Sequence, residues 1–215
     1  MPKYLEIETW KRKAQYHFFK KYDQPFFNIC APVDITALYE ISKAKALSFF
    51  LTSLYFSTHS ANAIPEFRYR LRGDRVLIYD AIHPASTVLK KDDTFGFCYF
   101  EYTKSFSVFH ENASRHLNDI LEKSDALDPQ EDRDDLIHYS VIPWLAFTSF
   151  SHARRFGMDD SVPKIVFGKY EKIKDKIKMP VSVEVHHALM DGLHVGRFFE
   201  TLQDYLIEPE AILNL

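Results

Sequence analysis

Glycine is scarce in this chain, with six in 215 residues. Neither a P-loop nor a GxGxxG fingerprint occurs, so no Gly-rich phosphate cradle is expected. Cysteine is scarcer still. Cys30 and Cys98 form neither a disulfide framework nor a CxxC pair, which makes a reducing cytoplasm the expected setting. No run approaches the roughly 18 apolar residues of a membrane span. The opening MPKYLEIETWKRK lacks the apolar core of a signal peptide. Basic charge is not in excess: 27 Lys and Arg face 30 Asp and Glu, so nucleic acid is not an expected partner. There is no GxSxG elbow, which argues against a serine nucleophile. Apolar residues, at 46%, are plentiful enough to build one core, and residues 1–215 read as one domain.

The chain is organised around residues 181–197, VSVEVHHALMDGLHVGR. Val181, Val183 and Val185 alternate with Ser182, Glu184 and His186, a strand period. On that period His187 shares the valine face and His186 points the other way. Asp191-Gly192 breaks the pattern. Leu193, Val195, Phe198, Phe199, Leu202, Tyr205 and Leu206 then recur at helical spacing. Three readings of the histidines stand side by side. His187 can be a base at the end of a buried strand, or a core histidine with its hydrogen bonds satisfied. His186, His187, Asp191 and His194 can also be weighed as zinc ligands, but neighbours on a strand face apart and do not easily share an ion.

His-His-Ala-Leu-Met-Asp-Gly is the HHxxxDG pattern of the CoA-dependent acyltransferases. With Leu193-His194-Val195-Gly196-Arg197 the stretch resembles the chloramphenicol acetyltransferase family. The likeness continues along nearly the whole chain, through PEFR, a hairpin, HP, TV and Pro-Trp…Thr-Ser-Phe. It implies His187 as general base and Ser149 as hydrogen-bond donor to the oxyanion of a tetrahedral intermediate. Ser149 also has a plainer reading, a hydroxyl bonded to local backbone. Trp10-x-Arg12 matches a family pattern whose arginine pairs with the motif aspartate. Arg12, Asp191 and Gly192 are therefore expected as structural support, since a buried carboxylate needs a partner. Phe26 and Phe27 fall where the family's acceptor pocket lies, and Lys169 and Tyr170 where it borders the CoA channel. Val166 is a departure: the family often has threonine there, holding a water for the oxyanion. The resemblance further implies acetyl-CoA as co-substrate, a small hydroxyl-bearing acceptor, no metal, and a homotrimer with active sites between subunits. It also fixes the tautomer of the base by a bond from its Nδ1 to its own carbonyl. A binding protein that keeps the pocket but has weak catalysis is the competing reading, and Val166 is the feature that leans toward it.

The rest of the chain fits an α/β (α+β) two-layer sandwich, a mixed sheet with helices packed on one side. A basic N-terminal helix puts Trp10, Ala14 and Phe18 on one side. Residues 26–33 read as a strand, followed by a helix to about 45 and a buried aromatic helix over 47–63. A β meander is expected from 68 to 102, with Arg72-Gly73-Asp74 as a hairpin turn. Residues 105–123 form an amphipathic helix. The acidic stretch 125–135 has no EF-hand spacing and reads as a solvated loop. Strands follow at 137–141 and 164–170, then a charged hairpin end at 171–178.

Overall fold

The computed structural model describes residues 3–122, 127, 129–130, 132–154 and 160–214. In chain order its elements are β1 (Lys3–Tyr4), α1 (Lys13–Phe19), β2 (Phe26–Asp34), α2 (Thr36–Ala44), α3 (Phe49–Ala63), β3 (Tyr69–Arg72) and β4 (Arg75–Ile78). There follow β5 (His83–Leu89), β6 (Phe95–Tyr99), α4 (Phe106–Glu122), β7 (Leu136–Ile142), β8 (Lys164–Gly168) and β9 (Glu171–Ile173). The last elements are β10 (Lys176–His186), α5 (Gly192–Ile207) and α6 (Glu210–Leu213).

The main sheet runs β2-β10-β8-β7-β5-β6, with β9 added beside β10. It is mixed: β5–β7 and β7–β8 are parallel, and the other pairs antiparallel. Because side chains alternate along a strand, β10 shows two different faces. Val181, Val183 and Val185 are fully buried and belong to one cluster with Leu54 and Phe56 of α3 and Phe198 and Leu202 of α5. Ser182, Glu184 and His186 lie on the opposite face. α3 is buried nearly all round, from Leu51 to Ala61, and Ser48 caps its start by accepting from Leu51 N–H. The expected sheet with helices on one side is thus present.

Three sequence expectations need correction. The stretch read as a meander is divided: β3 and β4 leave the main sheet and pair with β1 in a separate three-stranded sheet. Gly73, with φ +54°, makes their turn as expected. In the N-terminal helix the buried residue is Tyr16, while Phe18 is 57% exposed. Trp10 lies ahead of α1, with its ring 6.1 Å from that of Tyr16 and 6.2 Å from that of Tyr69 on the small sheet. Leu193, placed on the inner side of α5, is 60% exposed.

The acidic stretch is also more than a solvated loop where it is described; Asp125, Asp128 and Glu131 lie outside the described residues. Asp134 pairs with Arg72 and accepts from the Tyr79 hydroxyl at 2.5 Å. Arg70 is wholly enclosed. It donates to the carbonyls of Phe67 (2.8 Å), Tyr69 (2.6 Å), Asp134 (2.5 Å) and Leu136 (2.5 Å). One cation thereby stitches the small sheet to the start of β7.

A close approach explains one glycine that the sequence did not mark. A Cβ at Gly168 would sit 2.6 Å from Pro180 Cγ and 2.8 Å from Phe147 Cε1. Gly192, by contrast, has open space around it, so sterics do not require it.

Candidate active site

β10 ends at His186, and the next residue keeps its place by backbone bonds. His187 N–H donates to Pro25 O at 2.7 Å, extending the pairing with the chain ahead of β2. Its carbonyl accepts from Arg12 Nη2 at 3.1 Å. The imidazole of His187 stacks on Phe19, with ring centres 3.7 Å apart and planes 6° apart. Phe27 closes in at 4.6 Å with its ring tilted by 47°. His187 does share the valine face, since Phe27 pairs with Val185 across β2 and β10. His186 goes the other way, against Phe26 at 5.0 Å. Its Nδ1 accepts from Ala188 N–H at 3.2 Å. The two histidines therefore face apart, as strand geometry requires.

The expected bond from His187 Nδ1 to its own carbonyl is not formed. Nδ1 is closed off from solvent and has no hydrogen-bond partner among the described residues. The ring is held by aromatic faces, and the backbone on either side by hydrogen bonds.

Arg12 Nη1 donates to Asp191 Oδ2, so the pair expected from the sequence is formed. It is less buried than expected: the Arg12 side chain is 11% exposed and that of Asp191 35%. Burial alone would raise the Asp191 pKa, but the Arg12 guanidinium outweighs it and holds the carboxyl below its ordinary value. Asp191 is also the N-cap of α5, accepting from Leu193 N–H at 3.1 Å. His194 completes the cap, its Nδ1 accepting from Asp191 N–H at 3.0 Å. His194 Nε2 lies 3.4 Å from Glu66 Oε1. Spacing could have found this histidine, three residues after the cap. Nothing in the sequence marks Phe19, Pro25 or Glu66 as neighbours of the motif.

The remaining candidates divide between two cavities. Phe26 and Phe27 line one of about 950 Å³, with Phe150, His152, Arg154, Glu184 and His186. Lys169 and Tyr170 line another of about 340 Å³, with Phe49, Phe50, Ser53 and Met179. Phe26 and Phe27 face opposite sides of β2, and Phe27 alone of the two touches His187. Arg154 lies 3.4 Å over the Phe26 ring and donates through Nε to Glu184 Oε1 at 2.6 Å. Burial would raise the Glu184 pKa, but His152 and Arg154 hold it down to about 2. Ser149 is exposed, and the next two residues, Phe150 and Ser151, line the larger cavity. Val166 is fully buried, opposite Ser182 of β10 and Ser140 of β7, and lines neither cavity.

A family model described as chloramphenicol acetyltransferase matches residues 3–203. A chloramphenicol acetyltransferase of Clostridium perfringens is 33% identical over 216 residues, covering 98% of this chain and 97% of the relative. Among solved structures, a chloramphenicol acetyltransferase superposes with a TM-score of 0.89 at 31% identity, covering 96% of this chain and all of that one. The dihydrolipoamide acetyltransferase of Azotobacter vinelandii shares the fold, with a TM-score of 0.69 at 18% identity.

Proposed function

The chain belongs to the chloramphenicol acetyltransferase family, and we propose that it moves the acetyl group of acetyl-CoA to a hydroxyl of chloramphenicol. Residues 1–215 act as one domain, in the cytoplasm. His187 Nε2 takes the proton of the acceptor hydroxyl. The hydroxyl oxygen attacks the thioester carbonyl carbon, and the resulting oxyanion accepts a hydrogen bond from Ser149. Collapse of the tetrahedral intermediate breaks the carbon–sulfur bond. The departing CoA thiolate takes the proton back from His187, which leaves the enzyme unchanged.

The observation that carries this reading is the fixing of His187 between Phe19 and Phe27, with its backbone held by Pro25 and Arg12. A base must be presented in one orientation, since misplacement of about 1 Å costs roughly 10²-fold in rate. Phe27 joins this ring to the larger cavity, which suits an acceptor with an aromatic group. The smaller, mostly apolar cavity suits the pantetheine arm, with Lys169 and Tyr170 beside it. Arg12 and Asp191 serve as support for the base and not as chemistry. A homotrimer with active sites between subunits completes the reading. Trp144 and Leu145, 61% and 64% exposed in the single chain, are available to such an interface.

The test is thiol release from acetyl-CoA with chloramphenicol as acceptor, followed by a panel of other hydroxyl compounds. Turnover with chloramphenicol is expected. Turnover only with another compound would replace the acceptor, and none with any compound would replace the enzyme by a binding protein.

A further inference from the structure

His194 Nδ1 has two neighbours that it cannot serve at once. It accepts from Asp191 N–H at 3.0 Å, and it also lies 2.9 Å from Asp191 Oδ1. An unprotonated Nδ1 accepts from the amide; a protonated one donates to the carboxylate. Both ring nitrogens face a carboxylate, and the Asp191 amide decides between them, because its N–H needs a bare Nδ1; Glu66 then receives the proton on Nε2. Its Oε1 is 3.4 Å from Nε2, so the ring that carries its proton on Nε2 has an anion to meet it. With that tautomer Asp191 keeps both oxygens for other work. Oδ1 accepts from Leu193 N–H, and Oδ2 from Arg12. Arg12 in turn holds the His187 carbonyl through Nη2. With the other tautomer Oδ1 is drawn to His194, and Asp191 N–H loses its acceptor.

We infer that His194, in the tautomer selected by the Asp191 amide and met by Glu66, is a positioning residue for His187, acting through Asp191 and Arg12. This rests on the reading of His187 as the base. Backbone placement matters more than usual here, because His187 Nδ1 has no hydrogen bond among the described residues to correct a shift of the ring. Glu66 stands in the turn between α3 and β3, far along the chain from the motif it serves.

Two measurements on the full chain test this. In the first, ¹⁵N-labelled imidazole shifts read the His194 tautomer. A proton on Nε2 with Nδ1 bare is expected, and a proton on Nδ1, in the neutral ring or in the imidazolium, overturns the proposal. The second is steady-state kinetics with acetyl-CoA and chloramphenicol. In His194→Asn the amide oxygen can take the place of Nδ1, and kcat is expected to stay within about threefold. His194→Leu removes the acceptor and is expected to lower kcat roughly tenfold with little change in KM. Equal losses in the two variants would leave a packing role only and overturn the proposal. If His194→Leu does not fold, Glu66→Leu is read instead: mixed tautomers and a several-fold lower kcat support the proposal, and an unchanged kcat sinks it. His187→Ala separates the levels. If it is inactive while His194 proves indifferent, only this inference falls; if it is active, the reading of the base falls with it.

Discussion

His187 is held by two aromatic rings and two backbone hydrogen bonds, and its Nδ1 is enclosed with no partner among the described residues. A buried polar atom without a partner costs about 1–3 kcal/mol. We predict that His187→Ala lowers kcat by roughly 10²–10⁴-fold while the melting temperature stays level or rises. A near-normal rate would remove the base assignment. Ser149 is exposed, so its replacement should leave stability alone. Ser149→Ala is expected to lower kcat by about 10²–10³-fold if its hydroxyl meets the oxyanion. A silent Ser149→Ala would show that some other donor does this. The strand period made the face of His187 readable in the sequence. The likeness to the family had grouped Phe26 and Phe27, and both line the larger cavity, although only Phe27 reaches the ring of His187. The stack on Phe19 had no local signal, because α1 meets the end of β10 only after the whole chain has folded.

At the scale of elements, Asp191 does two jobs, capping α5 and pairing with Arg12. Removing half of a buried ion pair costs about 3–5 kcal/mol, but at 35% exposure this pair is screened, and about 1–3 kcal/mol is expected. Loss of a cap adds about 0.5–2 kcal/mol. Asp191→Asn keeps an acceptor for the cap and loses the charge, so thermal melts should rank wild type above Asp191→Asn, and that above Asp191→Ala. The Asp191 pKa is lowered in the fold. Its contribution is therefore full above the ordinary carboxylate range and lost as pH falls through the folded value. The gap between wild type and Asp191→Asn should shrink in acid; a gap that widens there would contradict the pairing. Most elements were legible because their periods are strong, as in β10 and α4. The split of the expected meander was not. Whether β3 and β4 continue the main sheet depends on β1, more than sixty residues earlier in the chain. The side of α1 was misjudged because seven residues make too short a helix for spacing to choose between Tyr16 and Phe18.

For the molecule as a whole, the exposed Trp144 and Leu145 fit the proposed trimer. Light scattering of the active protein should give three chain masses. A fully active particle of one chain mass, 25.2 kDa, would refute sites shared between subunits. The mixed sheet with helices on one face was legible from the order of elements alone. The Arg70 knot was not, because an arginine at a strand position ordinarily reads as exposed.

That enclosed guanidinium sets how the chain opens. Its carbonyl partners come from Phe67 and Tyr69 on one side and from Asp134 and Leu136 on the other. The small sheet cannot fray by itself without stripping a buried cation of acceptors, so it should belong to the same cooperative unit as the main sheet. Hydrogen–deuterium exchange reads this directly. The paired amides of β3 and β4 should exchange as slowly as those of β7, through global opening, despite lying in a sheet of three short strands. Exchange orders of magnitude faster would mean that the hairpin opens locally and that the arginine does not bind the two sheets into one.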